Sequence, residues 1–109
     1  PILPNFKPDN VHDIVNYSDS VVLFTGDQIW ENLDESQMRG VKCIISLTDF
    51  SILHENTPFS VADIRSGVDT LFKEKYPQGF GPDDVKYFHD TDPDEVCIIN
   101  YTSGTTGFS

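Results

Sequence analysis

Three short runs rich in β-branched residues, Ser20–Thr25, Lys42–Thr48 and Val96–Tyr101, are separated by stretches whose apolar residues recur at helical spacing. This alternation constrains the fold more than any other feature of the chain, because strands separated by connections long enough to hold a helix pair in parallel. The expectation is an α/β fold, a parallel sheet flanked by helices, with the three runs as neighbours and right-handed crossovers between them. The first helix is expected over Asn10–Ser18, capped by Asp9, with Val11, Ile14 and Val15 on one face. Gly26-Asp27 ends the first strand, and Asp27 is placed to cap a short helix carrying Ile29, Trp30 and Leu33, an apolar stripe that reads as core. Gly40 closes whatever helix continues through Met38. Asp49 to Phe59 is mixed and has no regular pattern. Ser60, with Asp63 three residues on, opens a helix in which Val61, Ile64, Val68, Leu71 and Phe72 share a face, and Pro77 stops it. A loop rich in proline, glycine and aspartate then leads to the last strand. No internal repeat appears.

Charge and composition exclude several classes. The 109 residues hold seven Lys and Arg against eighteen Asp and Glu, a net charge of −11. That field repels phosphate backbones and anionic lipid, so nucleic acid is not expected as a partner. It also opposes ATP, and a nucleotide site would need positive charge from elsewhere. No apolar stretch approaches the roughly 20 residues of a membrane helix, and no signal-type segment opens the chain. Cys43 and Cys97 each lie inside an apolar strand-like run rather than in a Cys-x-x-Cys pair. Both read as small buried hydrophobes in a reducing compartment, so the expected location is cytoplasmic.

Several candidate sites fail on spacing. A calcium loop starting at Asp90 would need Gly at its sixth place and Glu at its twelfth, where Glu95 and Tyr101 stand. His89 to Asp94 is therefore a solvated acidic loop, and no metal ligands are assigned. His12 and His54 have no partner at ligand spacing and read as surface or half-buried histidines. Thr25-Gly26-Asp27 lacks the Gly-x-Gly-x-x-Gly of a dinucleotide site. Asp49 lacks the acidic cluster after the first strand that a phosphoacceptor aspartate needs.

The chemistry lies in the last residues, Tyr101-Thr102-Ser103-Gly104-Thr105-Thr106-Gly107-Phe108-Ser109. Thr102, Ser103, Thr105 and Thr106 supply hydroxyls, while Gly104 and Gly107 lack the Cβ that would keep a ligand from the backbone or forbid positive φ. Backbone N–H groups and hydroxyls following a strand can converge on an anion. The loop is not a Walker A motif, since Gly104 and Gly107 have two residues between them and no Gly-Lys-Ser/Thr follows. A flexible tail would repeat Gly and Ser without this ordered succession.

The string resembles the phosphate loop of the adenylate-forming superfamily: acyl-CoA synthetases, nonribosomal-peptide adenylation domains and firefly luciferase, whose loop reads Tyr-Thr-Ser-Gly-Thr-Thr-Gly-x-Pro-Lys-Gly. The match from Tyr101 to Gly107 is complete, and Ser109 departs, standing where proline is usual. Asp94-Glu95 before Val96, Pro1 to Pro4 and the stretch from Asp13 to Asp27 resemble the family more loosely. The resemblance implies that residues 1–109 are a piece of the N-terminal adenylation domain of a fatty acid–CoA ligase, ending inside the phosphate-binding loop. It implies a carboxylic acid, ATP and coenzyme A as substrates of the parent, and Mg²⁺ as its cofactor. It further implies that Thr102, Ser103, Gly104, Thr105, Thr106 and Gly107 hold the ATP phosphates. No catalytic acid or base falls in the chain, and the piece itself is expected to be inactive, to bind none of these ligands and to self-associate. The parent is expected in the cytoplasm, with a peripheral position at the inner membrane face as a variant. The competing class is a non-catalytic α/β regulatory or interaction module that ends in a hydroxyl-rich loop.

Overall fold

A computed structural model describes residues 1–86 and 92–102. Its elements follow in the order α1 (Pro8–Tyr17), β1 (Val22–Thr25), α2 (Asp27–Trp30), a 3-10 turn (Glu35–Gln37), β2 (Cys43–Ser46), β3 (Ile52–Glu55), α3 (Val61–Ser66), α4 (Val68–Lys75) and a second 3-10 turn (Pro82–Asp84). The sheet order is β1-β2-β3. β1 and β2 pair in parallel, Val22 opposite Cys43 through Thr25 opposite Ser46, as the α/β reading requires. β3 is antiparallel to β2, with a bulge between Ile44 and Ile45. The expected all-parallel sheet is therefore corrected to a mixed one.

α1 begins one residue earlier than its expected cap. Lys7 occupies the N-cap without a side-chain bond, and Pro8 follows at the first helical position, where its missing N–H has no intrahelical partner to lose. Asp9, expected as the cap, lies instead in the first turn, where its charge opposes the helix dipole favourably. At the other end Asp19 adopts a left-handed φ of 54°. Its N–H donates to Asn16 O at 3.2 Å and the Ser20 N–H donates to Val15 O at 3.3 Å, the paired bonds of a Schellman cap.

The covered face of the sheet forms the core. Val11 and Val15 of α1 meet Met38, Val41 and Ile44, with Ile2, Phe6, Leu23, Trp30, Leu33 and Leu53 packed around them. Trp30 and Leu33 thus pack against the core, as their spacing predicts, whereas Ile29 of the same expected stripe stays exposed. The helix expected to run through Met38 stops at Trp30, and the chain re-enters a 3-10 turn capped by Asp34, whose carboxylate accepts from the Ser36 N–H at 3.0 Å. Two side chains one helical turn apart fasten this turn to α1. The Asn16 amide donates to Gln37 O at 2.7 Å, and His12 Nε2 accepts the Asp34 N–H at 3.0 Å. His12 is buried, not the surface or half-buried residue expected, because this bond gives its ring nitrogen a partner.

β3 is the element that the sequence pattern leaves out. Its entry turn places Phe50 at a φ of 57°, with the Phe50 N–H bonded to Ser46 O at 3.0 Å and the Ser51 N–H to the Asp49 carboxylate at 2.9 Å. Ser60 caps α3 as expected, accepting from the Asp63 N–H at 3.2 Å. Gly67 then divides the expected single helix into α3 and α4. The shared apolar face is only partly covered: Ile64, Val68, Leu71 and Phe72 all stay exposed. Phe72, Tyr76 and Phe80 cluster instead among themselves, with ring centroids 5.0 to 6.1 Å apart.

Val96–Tyr101 forms no strand, which corrects the third expected parallel neighbour. The run makes no ladder, and Val96, Ile98 and Ile99 are exposed. Cys97, expected to be buried, is exposed with them, while Cys43 is buried in β2 as expected. β-branched composition permits a strand, and burial against a second surface decides whether one forms.

Candidate functional site

The approach to the terminal loop is set by a turn. Asp92-Pro93-Asp94-Glu95 has Asp at its first place and Pro at its second, the preferred residues of a type I turn. The Glu95 N–H donates to Asp92 O at 3.0 Å and the Asp94 N–H to the Asp92 carboxylate at 2.9 Å. From this turn the chain passes along one side of a cleft of about 620 Å³, whose opposite walls are the first residues of the chain, α1 and the end of β1. Apolar side chains such as Leu3, Ile14, Phe24 and Ile98 dominate its lining, which includes no charged side chain among the described residues.

At the end of the approach Tyr101 is half-buried and Thr102 exposed. The Tyr101 ring stands edge-on to Tyr17, the last residue of α1, with centroids 6.5 Å apart and planes at 88°. Of the residues assigned to phosphate binding, Thr102 is the one described, and it directly follows Tyr101, which lines the cleft. Ser103, Gly104, Thr105, Thr106 and Gly107 lie outside the described residues, as does the His89 to Thr91 part of the acidic loop.

The carboxyl ends of β1 and β2 hold a polar cluster that sequence reasoning missed. Ligands of parallel α/β sheets bind at such ends. Ser46 is 1% exposed and its hydroxyl donates to the Asp27 carboxylate at 2.6 Å, while the same oxygen accepts the Thr48 N–H at 3.1 Å. Asp27, expected as a helix cap, is the first residue of α2, with Gly26 as N-cap. The available signal was a serine inside the apolar run Cys43-Ile44-Ile45-Ser46, which needs a partner once buried. Close by, Asp49 is held below the usual carboxylate range, first by hydrogen bonds from Ser51 and then by the Arg65 charge. The Arg65 guanidinium itself donates to Asp49 O at 2.8 Å. In β2, burial and then the charge of Glu55 push the Cys43 thiol up, away from nucleophilic use.

Among the described residues these strand ends therefore carry two carboxylates, Asp27 and Asp49, with the Arg65 guanidinium beside Asp49. Among the described residues no group of three or more His, Cys, Asp or Glu is arranged to hold a metal ion. Among them, too, no helix is long and apolar enough to cross a membrane.

Comparison with known families matches residues 1–109 to the model of the AMP-binding enzyme family. The match covers the whole chain, and the protein belongs to this family of adenylate-forming enzymes. Neither the curated proteins nor the solved structures gave a match.

Proposed function

We propose that the chain is part of an ATP-dependent acid–thiol ligase of the fatty acid–CoA type, and that Thr102, Ser103, Gly104, Thr105, Thr106 and Gly107 bind the phosphates of ATP. The observation that carries this reading is the uninterrupted string Tyr101 to Gly107 in a chain matched along its length by the AMP-binding family. In the first step an oxygen of the substrate carboxylate attacks the α-phosphorus of ATP. A new P–O bond gives acyl-AMP while the bond to the bridging oxygen breaks, and its electron pair leaves with pyrophosphate. In the second, the coenzyme A thiol, having lost its proton, attacks the acyl carbonyl carbon and AMP departs. The loop's contribution is positional and electrostatic: hydroxyls and N–H groups donate to the β- and γ-phosphates and steady the leaving pyrophosphate. None of these residues transfers a proton. With a net charge of −11 on this chain, a triphosphate bound at the loop would need added positive charge, such as Mg²⁺ and basic side chains from elsewhere in the enzyme.

Each hydrogen bond from the loop to a charged phosphate contributes about 1.5–3 kcal/mol. Thr105→Ala or Thr106→Ala in the complete gene product is therefore expected to slow adenylation by about 10- to 100-fold, with circular dichroism unchanged. Pyrophosphate release with a panel of carboxylic acids at subsaturating ATP measures this and also identifies the acyl group. A double variant as active as wild type withdraws the assignment. The isolated chain of 109 residues, with a net charge of −11, is expected to show no adenylation and little ATP affinity.

Self-association of the isolated chain belongs to the same reading. β1 is an edge of the sheet, and Val22, Phe24, Val96 and Ile98 near it are exposed. Light scattering is expected to show mass rising with concentration, and a monomer at every concentration overturns it. A cytoplasmic location is part of the proposal, resting on the unpaired cysteines Cys43 and Cys97.

A further inference from the structure

We propose that His12 is a pH-sensitive latch, which holds the 3-10 turn Glu35–Gln37 against α1 while its ring is neutral and lets the turn go when the ring takes up a proton. His12 lies in α1 at 7% exposure, and its Nε2 accepts the Asp34 N–H at 3.0 Å from 22 residues further along the chain. A ring nitrogen that accepts carries no proton, so the latched ring is neutral and its one N–H is at Nδ1. Protonation puts a hydrogen on Nε2 as well. Two donors then face each other, and the bond is lost. Histidine ordinarily changes charge between about pH 5 and 8, so this conflict arises on mild acidification.

Two carboxylates face the ring. Asp9, one turn earlier on α1, has its Oδ1 3.9 Å from Nδ1. Asp34 carries the other on the residue whose N–H is bound, and its carboxyl is held below the usual carboxylate range, first by hydrogen bonds from Ser36 and further by charge on His12. Both favour the ring once it is charged. The remaining surface packed on α1 presents Met38, Val41 and Ile44, which do not titrate. Acid therefore exchanges one backbone bond for attraction to two carboxylates, a rearrangement rather than a plain loss. The far end of the turn stays anchored, because Met38 directly after it is 1% exposed in the core and the Asn16 amide donates to Gln37 O at 2.7 Å. Release is thus confined to the Asp34 end, between two points that the fold keeps in place.

Amide exchange read residue by residue, with rates corrected for the intrinsic effect of pH, tests this on wild type and His12→Gln in the complete gene product. Glutamine places an amide oxygen near the position of Nε2 and so keeps an acceptor that never becomes charged. In wild type, protection of the Asp34 amide is expected to fall about two- to tenfold between about pH 8 and about pH 5.5, the worth of one hydrogen bond. Protection of Cys43–Ser46 in β2 is expected to hold, and His12→Gln to show no fall at Asp34. An unchanged wild type, an equal fall in β2 or the same fall in His12→Gln each overturns the proposal. If His12→Gln fails to fold, ring nitrogen shifts of wild type labelled at histidine decide. A His12 ring with its proton on Nδ1 at about pH 8, charging in step with the loss of Asp34 protection, supports the latch. A ring with its proton on Nε2, or one that charges without any change at Asp34, overturns it.

Discussion

On α1, Val11 and Val15 are 6% and 3% exposed, whereas on α4 Leu71 and Phe72 are 56% and 47% exposed, although both helices carry apolar residues at three- and four-residue spacing. What differs is the surface each helix meets. α1 lies against a sheet face and a returning turn that supply Met38, Val41 and Ile44 from more than twenty residues further along the chain. α3 and α4 meet a smaller surface, with Ile45 and Phe50 facing Ala62 and Val68 across an open groove. Periodicity defines a sticky side of a helix, but the free energy comes from the area that something else covers.

The largest expected effect tests this contrast directly. Ile44 is 0% exposed, and Ile44→Ala should cost about 2–5 kcal/mol, enough to unfold much of the chain. Leu71→Ala removes as large a side chain from the open side and should change stability by only about 0.5 kcal/mol. Urea denaturation of the two variants provides the comparison, and equal losses would show that α4 is as firmly covered as α1.

A smaller effect concerns the polar stitching of the covered side. His12→Ala leaves the Asp34 N–H without its acceptor and opens space beneath the 3-10 turn, at an expected cost of about 1–3 kcal/mol. Amide exchange at Asp34 and Ser36 should accelerate more than exchange in β2. Uniform acceleration would mean that the bond supports the whole fold rather than the turn. The smallest expected effect is a gain. Asp19 occupies a left-handed cap position that glycine fills without strain, so Asp19→Gly should raise stability by about 0.5–1 kcal/mol. A fall in melting temperature would show that the Asp19 side chain has a role beyond the turn.

The same contrast explains what could be read from the chain in advance. α1, β1 and β2 were legible because periodicity, β-branched runs and turn residues agree there. β3 was not, since Ile52 and Leu53 are too short a run and the turn before it depends on Phe50 taking a conformation that its residue type disfavours. Val96–Tyr101 misled in the opposite sense: its composition fits a buried strand, yet Val96, Ile98 and Ile99 are exposed and, among the described residues, it pairs with no strand. At the site, the order of hydroxyls and glycines from Thr102 to Gly107 was plain in the sequence. The bonds from Ser46 to Asp27 and from His12 to Asp34 were not, because each joins residues that only the folded chain brings together.

The pairing order of the sheet also sets an order in time. β2 and β3 are joined by the short turn through Asp49, and a hairpin of this kind closes within about 1–10 μs. β1 must wait for β2, which lies beyond α2 and the 3-10 turn, and closing that longer connection carries a larger entropic penalty. During synthesis, at about 5–20 residues per second, α1 and β1 therefore leave the ribosome on the order of a second before the strand that completes their core. In that interval Val11, Ile14, Val15 and Leu23 are all uncovered. The N-terminal third of the chain thus passes that interval with its apolar face open to water, although in the finished molecule Val11, Ile14 and Val15 of α1 are buried.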